Sequence, residues 1–488
     1  MKKSLKHMAA FVFVCILLST AVTAQNAREN APQQRRERPE PPLTAPKIVP
    51  RTTAEMQTPE FWISNIKGDP DRIIMTPSQI TELNRKNRER GTNFTDVFGN
   101  PYSIDDVLES RDSIGIMYHV DDPLTYTTFP SDSLRFRIER QNDWFNKQTI
   151  YDRRNMVYDE DMKRELIDMT DVGSIPGGSV TPTYGIIVKH TLGRVMPSSL
   201  PVSGRPGGWL DEFQSGMVDY GQPAAILHMS KDRDWYYVRS EISFVWVPAT
   251  NVAVGNPREI GDYVNSKDFI VATTHKVPIY GDSKFRFFIE DFYLGARVKL
   301  IEKTPTGYKV SYPYRKPDGS FGIADGWVKP DARVSVGYQP FTQRNIINTV
   351  FTMLYRPYGW ADSWNERDCC GMTRVVLRTF GIFTGRWTTH QLHASDHVVM
   401  FPRKTPKEEK YKYLEGCEGG ICLAGDGGHI TMYLGEVDGR HYVIHSSGYS
   451  YTDEDGKRQN VNRVNVNDTE LDGGSNIGGW TEITTLKP

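Results

Sequence analysis

With 488 residues, 38% of them hydrophobic and 24% charged, and a formal net charge of −1, the chain is long enough for three or four domains. That composition excludes wholesale disorder and a collagen-like fibre, and the near-neutral balance argues against a nucleic-acid partner. Five cysteines are too few to build a disulfide scaffold.

Residues 1–24 read as a signal peptide. Lys2, Lys3 and Lys6 precede an 11-residue apolar run from Met8 to Leu18, and Ser19 to Ala24 supply the small residues of a cleavage site. A membrane helix needs roughly 20 apolar residues, and Cys15 lies inside the run rather than after the small residues. The expectation is an exported chain, cleaved near Ala24, periplasmic or secreted, with no membrane anchor. Residues 25–50 contain six prolines and several arginines and read as an extended, poorly ordered tether.

Residues 51–175 read as a mostly helical, charged support domain. Its clearest local signal is Thr76-Pro77-Ser78-Gln79, a capping box with proline at the first helical position, followed by Ile80 and Leu83 at helical spacing. From residue 176 the pattern shifts to short β-type runs. Residues 184–188, 224–227, 235–238 and 245–248 form one set; 269–271, 296–300, 308–310 and 326–330 form a second. Each set closes on Trp-Val, so 176–258 and 259–338 read as two repeats, each a small β-barrel with Trp246 or Trp327 in its core. Residues 339–488 open with a helix over Asn345–Leu354 and end in strands, which predicts an α+β domain.

Chemistry concentrates in that last domain. Met372, Val375, Val376, Thr379 and Phe380 recur at helical spacing, so a helix begins near Cys369 within Asp368-Cys369-Cys370-Gly371. A thiol there meets free backbone N–H groups and the positive end of the helix dipole, which favour a nucleophilic thiolate; a buried small hydrophobe is the alternative reading. Two alternating runs, His429 to Leu434 and His441 to His445, flank Asp438-Gly439. A two-residue loop would set His429 and His445 on opposite faces. A three-residue loop, Val437-Asp438-Gly439, pairs Glu436 with Arg440 and brings both histidines to one face, His445 opposite Thr431. One imidazole then serves as base and the other orients it.

These residues carry a resemblance. Asp-Cys-x-Gly on a helix, Gly-His at a strand start, a second strand histidine and an upstream Tyr-x-Trp resemble the NlpC/P60 cysteine peptidases of bacterial cell walls. The layout resembles the subgroup with an N-terminal stabilising domain and two bacterial SH3 (SH3b) domains, and it spans nearly the whole mature chain. The resemblance implies a papain-like α+β catalytic domain that hydrolyses the γ-D-glutamyl–diamino acid bond of peptidoglycan stem peptides or released muropeptides. It implies Cys369 as nucleophile, His429 as base and His445 as orienting residue, with Asp368 and Tyr358 binding the free amine of an N-terminal L-Ala. No cofactor or metal is implied, and a monomer is expected. The alternative is a peptidoglycan-binding protein with an inactive or acyl-transferring domain of this kind.

The chain departs from the family pattern in three places. Cys370 stands where a serine is usual, Ala361-Asp362 where a glycine pair is usual, and Gly385-Arg386-Trp387-Thr388 replaces a Pro-Arg-Asn-Ser run. Cys370 and Thr388 are still expected to line the substrate site. Three other features read as non-catalytic. His390, His393 and His397 would share one helix face, a solvated face rather than a metal site for want of a matching fourth ligand. Cys417 and Cys422 fit either a local disulfide or two free thiols. The Gly473–Gly479 stretch lacks the ending of a phosphate loop and reads as a surface turn.

Overall fold

The computed structural model describes residues 43–89, 93–95, 101–103, 122–241, 243–471 and 476–488. The leader, the tether up to residue 42, much of the support region between 90 and 121, and residues 472–475, which include the start of the glycine-rich stretch, lie outside the described residues. No described helix is long and apolar enough to cross a membrane.

The capping box forms as read. Pro77–Glu89 is helical, the Thr76 amide donates to Gln79 Oε1 at 2.8 Å, and the Gln79 amide donates back to Thr76 Oγ1 at 3.4 Å. Among the described residues, the N-terminal helices bury their apolar sides against later parts of the chain. Trp62, Met75, Ile80 and Leu83 share a core with Phe341, Val376, Phe380 and Leu434. The helix Ser131–Lys147 sends Leu134 and Ile138 into a cluster with Tyr237, Phe244 and Trp246.

Two seven-stranded antiparallel sheets follow. The first runs, in spatial order, Val252–Gly255, Thr183–Ile187, Pro223–Met229, Trp235–Arg239, Phe244–Pro248, Thr191–Arg194 and Gln214–Val218. The second runs Phe288–Tyr293, Lys276–Tyr280, Phe321–Val328, Gly307–Arg315, Arg297–Thr304, Phe269–Ala272 and Val334–Val336. Trp246 is buried as expected, but Trp327 is not a core residue. It is half-exposed, because strand alternation turns Val328 inward instead.

The last domain is α+β. Its six-stranded antiparallel sheet runs Val398–Met400, Glu482–Thr485, Cys422–Asp426, His429–Val437, Arg440–Ser447 and Arg463–Asp468. The helices Gln343–Phe351 and Cys369–Arg378 share its apolar core, with Ile346, Val350, Met372 and Val376 meeting Ile430, Met432 and Ile444. The end of the presumed tether is docked here rather than loose. Val49 and Ala45 pack with Tyr449, Tyr451 and Val461, and the Thr44 and Ala45 amides donate to Asn460 O at 3.1 and 3.0 Å. Buried apolar contact and paired backbone outweigh the extended bias of a Pro-rich composition.

Candidate active site

Cys369 is the first residue of its helix. Asp368 caps it, its carboxylate accepting from the Gly371 amide at 2.7 Å and from Arg386 at 2.5 and 3.1 Å. The sulfur of Cys369 lies 3.7 Å from that of Cys370, whose sulfur in turn lies 3.5 Å from Thr388 Oγ1. The thiol is not the low-pKa group the helix terminus alone would give. Contact with Cys370, then burial and the Asp368 charge, push it well above its usual range, while a backbone hydrogen bond from Ile430 works the other way. Tyr358 is buried nearby, its hydroxyl proton held more tightly through burial and the proximity of Asp368, Cys369 and Cys370.

His429 and His445 share a face, by a different route from the one expected. The loop is the two-residue Asp438-Gly439, with φ of 51° and 75° and Val437 paired to Arg440. A bulge between Tyr433 and Gly435 then shifts the register by one, so Met432 pairs with Ile444. Gly435, at φ 141°, supplies a backbone shape that other residues rarely take. His429 Nε2 therefore lies 2.6 Å from His445 Nδ1, and His445 Nε2 lies 2.6 Å from Asn467 Oδ1. The Asp426 carboxylate fixes the start of this strand by accepting from the His429 amide at 2.9 Å. Burial lowers the pKa of His429 to about 4 and that of His445 well below its usual value.

Behind Cys369 lies a buried charge network that joins the domain to the first barrel. Asp219, at the end of barrel strand Gln214–Val218, meets Arg367 at 3.0 Å, Arg374 at 3.4 Å and His190 at 3.3 Å. Asp362 lies 3.6 Å from Arg367, 3.9 Å from Arg374 and 3.7 Å from Arg386. Gln214 Nε2 also donates to Ala361 O at 3.0 Å. Ala361 and Asp362, in place of the usual glycine pair, keep a left-handed backbone with φ of 49° and 62°; Trp364 and Asn365 do the same at 59° and 60°. Side-chain-bearing residues in this region hold roughly 1–3 kcal/mol of strain each. The contacts with the barrel secure this loop.

The structure thus gathers Asp368, Cys369, Cys370, Tyr358 and Thr388 around one helix end and links His429 to His445. The histidine trio does not share a helix face, because its helix ends at Leu392. His393 lies 3.2 Å from Glu482, and His397 Nε2 lies 2.5 Å from Pro488 O. Cys417 and Cys422 are free thiols, Cys417 against Tyr413 O and Cys422 against Thr485 Oγ1. The sequence marks Asp362 and Arg386 only as parts of departures from the family pattern, and it does not single out Asp219 or Asn467. Asn467 leaves a local trace, alternating with Asn465 between Val464 and Val466 on an edge strand of the sheet.

Fold and site together define a papain-like α+β domain, preceded by SH3-type β domains, with a cysteine at a helix start and a histidine pair on the adjoining sheet. Residues 201–248 match the family model of an SH3 domain of the SH3b1 type. Across 91% of this chain and 98% of the other, the structure is similar to that of a novel NlpC/P60 endopeptidase from Photobacterium damselae subsp. piscicida, with 14% identity and a TM-score of 0.65. An NlpC/P60 family protein from Bacillus cereus ATCC 10987 aligns over 63% of this chain and 100% of its own, at 20% identity and a TM-score of 0.43. NlpC2 from Trichomonas vaginalis aligns over 63% and 98%, at 15% identity and 0.26. No curated protein matches the sequence significantly. The chain has the fold of an NlpC/P60 protein carrying SH3b domains.

Proposed function

We propose that the chain is an exported cell-wall cysteine endopeptidase that hydrolyses the γ-D-glutamyl–diamino acid bond of peptidoglycan stem peptides bearing a free N-terminal L-Ala. The observation that carries this reading is the linked arrangement of His429, His445 and Asn467 beside a helix that begins at Cys369. Cys369 and His429 both rest neutral, since contact with Cys370 and burial hold the thiol proton and burial opposes charge on the imidazole. The Cys369 proton passes to His429 as sulfur attacks the γ-glutamyl carbonyl carbon. His429 returns that proton to the departing amine as the C–N bond breaks. Water, deprotonated by His429, then releases the acyl group from sulfur and restores the thiol.

The same geometry supports a set of subsites. Asp368 already holds Arg386, so a substrate ammonium joins that carboxylate as a further partner beside Tyr358, Cys370 and Thr388. The leader-like pattern of residues 1–24 supports a location in the periplasm or outside the cell. The SH3b1-type domain supports an association with peptidoglycan.

Incubation of reduced protein with L-Ala-γ-D-Glu-diamino acid peptide, followed by mass spectrometry, tests the reading. Cleavage by the native chain and none by a folded Cys369→Ala variant is expected; equal turnover by both would refute it. Acetylating the substrate amine is expected to lower kcat/KM strongly, and no change would remove Asp368 and Tyr358 from the amine site. Thioester transfer to added amines in place of hydrolysis would identify an acyl transferase.

The pH profile supplies a further check. Protonation removes the lone pair that His429 needs, so kcat/KM should fall as pH drops through about 4 and stay level from there to neutrality. An acid limb at pH 6.5, the ordinary histidine value, would show that the base is solvated rather than buried.

A further inference from the structure

We propose that Asn467 is a positioning residue that fixes the tautomers of both histidines and thereby leaves the basic lone pair on Nδ1 of His429. The inference rests on the peptidase reading for its consequence, but its structural content is independent of that reading.

Asn467 Nδ2 donates to the Asp468 carbonyl at 2.7 Å, which fixes the amide with Oδ1 facing His445. That oxygen also accepts from Asn465 Nδ2 at 3.2 Å and from the Tyr449 hydroxyl at 3.4 Å. A carbonyl oxygen only accepts, so His445 must carry its proton on Nε2. Its Nδ1 is then an acceptor, and the 2.6 Å contact requires the proton on Nε2 of His429. Nδ1 of His429 is left bare. Asn467 and His445 are fully buried, and Tyr449 stacks on His445 with centroids 5.5 Å apart at 22°. With no water to substitute, one amide oxygen sets the proton position two rings away.

Without that oxygen the order can reverse. His445 would carry its proton on Nδ1 and donate to His429 Nε2, which moves the His429 proton to Nδ1 and removes the base. Asn467→Leu keeps the volume but deletes the acceptor, whereas Asn467→Asp restores an acceptor. Long-range 15N NMR of the full-length protein with imidazole-labelled histidine reads the tautomers directly, with His429→Gln and His445→Gln variants for assignment.

Wild type is expected to show Nε2–H on both rings. Asn467→Leu should shift both toward Nδ1–H, and Asn467→Asp should retain Nε2–H on His445. In peptide cleavage, Asn467→Leu should lower kcat by about 10- to 100-fold with KM unchanged. An Nδ1–H signal from either histidine in wild type would overturn the proposal, even if the Leu variant fails to fold. Unchanged tautomers in a folded Leu variant would overturn it as well. Correct tautomers in a wild-type protein that cleaves no stem peptide would refute the peptidase reading and leave the positioning role standing.

Discussion

Replacing Asp219 by Ala is expected to destabilise the protein by about 3–5 kcal/mol, because it strips a buried ion-pair network of its central anion. Burial alone would raise the pKa of this carboxylate, yet Arg367 and Arg374 hold it far below the usual range. Its side chain and those of Arg367, Arg374 and His190 are at most 3% exposed. Without Asp219, the two guanidinium groups keep only Asp362, at 3.6 and 3.9 Å, and water cannot replace the lost partner. Asp219→Asn retains the volume and removes the charge, so a similar loss there would assign the effect to electrostatics rather than packing. Urea titration of the native, Ala and Asn proteins measures both. A loss below about 1 kcal/mol would show that the network is solvated or rearranges. Because Arg367 directly precedes Asp368, the same variants should also disorder the start of the helix that carries Cys369.

How much of this was legible beforehand depends on whether each feature was local. The helix from Cys369 announces itself through residues three and four apart, and the Thr76 capping box lies within four residues. Strand alternation predicts that the two histidines share a face. The loop, however, has two residues, and a bulge at Leu434 restores the shared face. Alternation specifies which side chains share a surface, but not where the register slips. Trp327 shows the complementary error, since a closing Trp-Val does not say which of the two turns inward. Nothing in the sequence joins Asp219 to Arg374 or Arg386 to Asp362. These pairs are chosen by tertiary packing, and a charged residue reads as surface until its partner is known.

The second large effect should come from one methyl group. Gly371→Ala would ordinarily stabilise a helix by about 1 kcal/mol. Here a Cβ would stand 1.9 Å from Asp362 Oδ1 and 2.9 Å from its Cγ, far inside contact distance. Asp362 cannot withdraw freely, being fully buried among Arg367, Arg374 and Arg386 on a loop of left-handed residues. The expected result is a net loss of about 1–3 kcal/mol despite the helix-propensity gain. The proposed peptide cleavage should fall further, because displacing Asp362 releases Arg386, the partner of Asp368 beside Cys369. Asp362→Ala removes the clash but leaves three cations short of an anion, so it should be severe alone. In that background, Gly371→Ala should cost nothing or help slightly. A double-mutant cycle by chemical denaturation should therefore show coupling of at least about 1 kcal/mol between the two positions. Additive losses, or a single Gly371→Ala protein as stable as wild type, would mean that the helix start and the buried carboxylate do not press on one another.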